Sequence, residues 1–224
     1  RQNNIHEIKE TLKLLLEIMN NCKRTSDFYD KIEKYLINFK NEIKQFFSNF
    51  ELFDFFKSNK ILLLFFIKES LLSFDSSIVQ VLNDNKYWNS NSIKFFLIEC
   101  RPFISEKLYE EIKSNILKSG MNDFEENRKK GENDLFICNL IRNDLINDFI
   151  QFVNKTNTSL SMIIIPSIYE TNCILSNKEV SLIEYSAFYG SIQIFKYLYL
   201  NKVELTPSLW IFAIHGNNPE IIHL

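Results

Sequence analysis

Two stretches close to the C-terminal end repeat one layout, and they constrain the fold more than any other feature. The first is Ser181-Leu-Ile-Glu-Tyr-Ser-Ala-Phe-Tyr-Gly190-Ser-Ile-Gln-Ile-Phe-Lys-Tyr-Leu198. The second is Thr206-Pro-Ser-Leu-Trp-Ile-Phe-Ala-Ile-His-Gly216-Asn-Asn-Pro-Glu-Ile-Ile-His-Leu224. Each reads as two short helices joined at a glycine turn, and the two glycines stand 26 positions apart. A unit this small cannot hide its own apolar flanks, so units of fixed period stack on one another. A further pair is predicted upstream, Asp134 to Arg142 and Leu145 to Asn154, with Asp144 in the turn. Asp tolerates the left-handed turn conformation better than most residues.

Local start signals agree with this reading. Ser181 and Glu184 have capping-box spacing. Thr206-Pro207 reads as an N-cap followed by proline at the first helical position, and Asn218-Pro219 repeats that device.

The rest of the chain is predicted to be helical as well. It contains only 4 Gly and 4 Pro in 224 residues, too few tight-turn residues for an all-β fold. Hydrophobic residues make up 46% and charged residues 24%, a balance that folds. Ile5, Ile8, Leu12, Leu15 and Met19 form one helical stripe. Phe28, Ile32, Tyr35, Phe39, Ile43 and Phe46 form a second, with Ser26 as its N-cap. Phe50 to Lys57 and Ile61 to Phe74 are apolar nearly all round, as central helices are. Ser76 to Leu82 reads as a helix, Tyr87 to Ser92 as a loop, and Ile93 to Cys100 as a helix stopped by Pro102. Ser105 caps a helix running to about Lys118.

The polar stretch Gly120 to Gly131 reads as the boundary, with Arg128-Lys-Lys130 as a charged linker. The expected fold class is therefore all-α, in two domains. Residues 1–130 form a Phe-rich helical domain, and 131–224 form degenerate helix pairs of a truncated α-solenoid. An insertion at about 155–180 interrupts the pairs, with room for an extra helix from Pro166. The second copy is expected to be cut off mid-repeat at Leu224.

Charge and chemistry narrow the function class. Formal net charge is −2. Residues 1–130 carry 21 Lys+Arg against 19 Asp+Glu, and the remainder 5 against 9. Neither part is basic enough to favour a phosphate backbone, so no nucleic acid partner is expected. The longest apolar run, Ile61 to Ile67, is too short to span a bilayer. Cys22, Cys100, Cys138 and Cys173 are far apart and form no CxxC pair, so they read as free thiols in a reducing, intracellular (cytoplasmic) compartment. With four glycines no phosphate-cradling loop can be written. His6, His215 and His223 have no third ligand near them for zinc. Adjacent carboxylates such as Glu110-Glu111 point to different helix sides. No catalytic residue, cofactor, metal or small-molecule substrate is predicted.

The residue order of the two copies resembles the ankyrin repeat. Ile183, Ala187, Gly190, Ile194, Phe195, Lys196 and Leu198 match that pattern position for position, and Ser181 stands at its Thr. The pattern's opening Pro and His are missing from the first copy, and the second carries one extra residue around Gly216-Asn-Asn-Pro-Glu220. The usual repeat is 33 residues, so a spacing of 26 implies a shortened hairpin loop. From Gly131 to Leu224, and in the leader Ile43-Lys-Gln-Phe-Phe-Ser-Asn-Phe50, the chain is also similar to a domain fused to ankyrin repeats in a very large protein family of trichomonad protists. That family has no assigned activity, so the resemblance implies architecture and further repeats after Leu224, but no catalytic residues.

On the ankyrin pattern Tyr185, Phe188 and Tyr189 fall on the first helix's groove side, as do Ile211, Ile214 and His215 beside Trp210 in the second copy. Two readings stand open. These aromatic and apolar residues anchor a protein partner, or they pack against neighbouring repeats. The resemblance implies a non-enzymatic protein–protein interaction scaffold with an unidentified protein partner. The alternative is a structural or assembly module whose helical domain self-associates.

Overall fold

The computed structural model describes residues 2–21, 26–83, 91–116, 121–176 and 178–224. Among the described residues helix accounts for 72%, in 17 helices, and strand is almost absent: the fold is all-α. Cys22, Gly120, Lys118 and most of the loop expected at Tyr87 to Ser92 lie outside the described residues. The chain forms two compact units. The first comprises Arg1–Asn20 and Arg24–Glu132, and the body of the second is Asn133–Leu224.

In the first unit, α1 (Gln2–Asn21) buries Ile8, Leu12 and Met19 along one stripe. The single stripe read over Phe28 to Phe46 is two helices, α2 (Ser26–Asn38) and α3 (Lys40–Phe46). They part at Phe39, whose N–H bonds back to the Leu36 carbonyl at 3.0 Å, a tight turn that ends one helix and starts the next. Ser26 is the first residue of α2 rather than the residue before it. The Phe-rich α4 (Asn49–Phe56) and α5 (Lys60–Lys68) are central, with Phe53, Phe56, Leu63 and Phe66 fully enclosed. A capping box between Ser48 and Glu51 starts α4, and the buried Asn59 starts α5 by accepting from Leu62 N–H. The segment to Phe74 does not stay helical: α5 stops at Lys68, and Ser70 turns the chain at φ 55°.

Then come α6 (Ser76–Asn83), α7 (Asn91–Phe95), α8 (Leu97–Cys100), a 3₁₀ turn (Arg101–Phe103) and α9 (Glu106–Ile116). Asn91 and Ser92 are thus helical, not loop. Ser105 caps α9 through Leu108 N–H as expected. The stretch read as a polar boundary is a helix, α10 (Met121–Lys130). Arg128 is no linker residue either. Its guanidinium is buried and doubly bonded to Glu99, at 2.8 Å to each carboxylate oxygen, and Nη1 also donates to the Phe95 carbonyl. The rings of Phe95 and Phe124 lie 5.6 and 5.2 Å from it. The charges on α10 are therefore divided: Arg128 anchors the helix, and Lys130 pairs with Glu126 on the open face.

The second unit opens with α11 (Phe136–Arg142) and α12 (Ile146–Thr156), joined at Asp144 with φ 50°. The insertion at 155–180 holds no helix from Pro166. It forms a short strand β1 (Ile163–Ile164), a single turn α13 (Cys173–Ser176) and β2 (Val180–Ser181). The strands pair antiparallel, Ile163 with Ser181 and Ile164 with Val180. Two buried polar residues pin this segment to the start of α11. Glu170 accepts from Asn133 and Asn172 N–H groups, and the Asn133 amide donates to the Ile165 carbonyl. Those bonds hold 165–172 in loop geometry, where a helix would turn the same groups onto its own backbone. After β2 come α14 (Leu182–Tyr189), α15 (Ile192–Leu200), α16 (Leu209–Gly216) and α17 (Pro219–His223).

Candidate protein-binding surface

The helix pairs α14–α15 and α16–α17 are joined by a buried carboxylate. Ser181 and Glu184 form the expected capping box at the start of α14. One Glu184 oxygen accepts from the Ser181 N–H and hydroxyl, and the other accepts from the Thr206 and Ser208 hydroxyls at 2.6 Å each. Thr206 therefore does not cap its own helix. Its hydroxyl is committed to Glu184, Pro207 stays in the turn, and α16 begins at Leu209 with no side-chain cap. Asn218-Pro219 does act as read: Asn218 accepts from Glu220 N–H, and Pro219 is the first residue of α17.

Burial pushes the Glu184 carboxyl up, but hydrogen bonds from Ser208, Thr206 and Ser181 outweigh it and hold the group below its ordinary 4.5. A carboxyl depressed on folding contributes stability that is full above its unfolded value and is lost as pH falls through the folded one. Glu184→Gln is expected to destabilise the second unit by about 2 kcal/mol at neutral pH. A Gln amide offers one acceptor oxygen where the site needs two, so either Ser181 or the Thr206/Ser208 pair loses its bond. Urea midpoints at about pH 7 and about pH 3 check this. The gap from wild type should narrow in acid, and an equal gap at both values would contradict the charge's role.

Three further contacts fix the stack. The Asp144 carboxylate accepts from Gln193 and Ile194 N–H groups, so the turn of one pair caps α15 of the next. Ser191 Oγ donates to the Ile141 carbonyl. The Asn218 amide donates to the Gly190 carbonyl at 2.9 Å.

This stacking decides where the sequence-predicted residues sit. Tyr185 and Phe188 are each 1% exposed, so neither is a surface anchor. Tyr185 is closed off by the Tyr189 ring at 4.8 Å and by Arg142, which donates to its hydroxyl at 2.8 Å. Burial raises the Tyr185 hydroxyl's pKa far above its ordinary value, and it stays protonated. Phe188 lies under Tyr189 and His215, with centroids 5.1 and 5.9 Å away. Both are covered because α14 has packed helices on either side, α11 and α16. Tyr189 and His215 are half-buried. Trp210 and Ile214, by contrast, are 61% and 64% exposed.

The structure thus leaves Trp210 and Ile214 of the six candidates open, with Ile211, which the sequence reading also places on this side, and it exposes others that sequence reading missed. Leu205 and Leu224 are exposed and border the same groove as Trp210, and Leu200 is exposed at the end of α15. That groove, of about 310 Å³, is walled further by Phe195, Tyr199, Leu209, Ala213, Ile221 and Ile222. The signal was available: α16 is apolar on every side, as a helix is when both flanks are meant to be covered.

Of the described cysteines, Cys100 and Cys138 are buried and Cys173 is half-buried. Burial pushes the Cys100 and Cys138 thiols up to about 12. Among the described residues no cluster of three His, Cys, Asp or Glu could hold a metal ion, and no helix is long and apolar enough to cross a membrane. No protein-family model, curated protein or solved structure matches the chain.

Proposed function

We propose that this chain is a non-enzymatic recognition scaffold, and that residues 131–224 are degenerate ankyrin-type helix pairs forming part of an α-solenoid. One observation carries the reading: Trp210 and Ile214, one helical turn apart on α16, are both largely exposed, and Trp210 borders an apolar groove with Leu205, Leu209 and Leu224. Exposed patches of this kind, with an aromatic at the centre, are what protein partners bury. The repeated contacts between pairs support the solenoid part, since Asp144, Glu184 and Asn218 each tie one pair to its neighbour. The polar groups that join the pairs are spent on one another and on the backbone, which supports binding rather than catalysis. The protonated buried thiols fit a reducing, intracellular compartment. Neither net charge nor groove lining favours nucleic acid.

Immobilised wild-type chain and a Trp210→Asp/Ile214→Asp variant, each exposed to native lysate and read by mass spectrometry, test the reading. Wild type should retain a specific protein that the variant loses. Equal retention by both, or none by either, would overturn it. The two positions are exposed, so the variant should fold, and circular dichroism checks that it does.

A further inference from the structure

We draw no further inference here: the strongest candidate, the apolar groove of the α16–α17 pair bordered by Leu205, Trp210 and Leu224, carries nothing beyond the reading above, because it belongs to the site already described and nothing in the structure shows what covers it.

Discussion

Arg128→Ala is expected to lower the stability of the first unit by about 3–5 kcal/mol. The side chains of Arg128 and Glu99 are only 8% and 13% exposed. Removing the guanidinium leaves a buried carboxylate without its counter-charge and the Phe95 carbonyl without a donor. It also strips the cation from between the Phe95 and Phe124 rings. Most of the loss comes from the orphaned Glu99 rather than from the pair's own attraction. Arg128→Met/Glu99→Leu should therefore regain much of it, because no buried charge is left unpaired. Urea unfolding of the three proteins decides the matter. A loss under about 1 kcal/mol in the single variant would mean that water reaches Glu99 freely.

The second large effect is expected at Gly216→Ala, at about 3 kcal/mol. Gly216 is the last residue of α16 and does not adopt a positive φ. A Cβ placed there would stand 1.9 Å from the Ala187 carbonyl oxygen and 3.2 Å from the Gly190 nitrogen. Both are backbone atoms of the neighbouring pair, so the pairs must separate to admit a methyl group. Gly190 is the other kind of glycine. Its φ of 70° is costly for any residue with a side chain, by about 1–2 kcal/mol. Asn217, at φ 48°, supplies the left-handed residue that ends α16, and Asn217→Gly should be nearly neutral. Thermal or urea unfolding ranks the three. Gly216→Ala as mild as Asn217→Gly would contradict the close contact between pairs.

These glycines show how far the sequence could be read. The 26-residue spacing is real, yet its two members do different work: Gly190 turns the chain, and Gly216 lets two helices touch. The extra residue noted in Gly216-Asn-Asn-Pro-Glu220 has its reason here, since the turn falls one position later, at Asn217. Signals confined to a few neighbouring residues were legible: Ser181 with Glu184, Asn218 with Pro219, and Asp144 in a left-handed turn. Signals that depend on a distant partner were not. The charged run ending α10 looks uniform until Glu99, far upstream, claims Arg128. Thr206 reads as a cap until Glu184 of the preceding pair takes its hydroxyl. For the surface, Tyr185, Phe188, Trp210 and Ile214 are equally apolar in sequence. Only the order of stacking separates the covered pair from the open one.

Amide hydrogen exchange on the chain, alone and with a protein it captures, tests the central claim most directly. The expected result is new protection concentrated over 200–224, with the first unit unchanged. Protection arising in the first unit, with 200–224 exchanging as in the free chain, would contradict it.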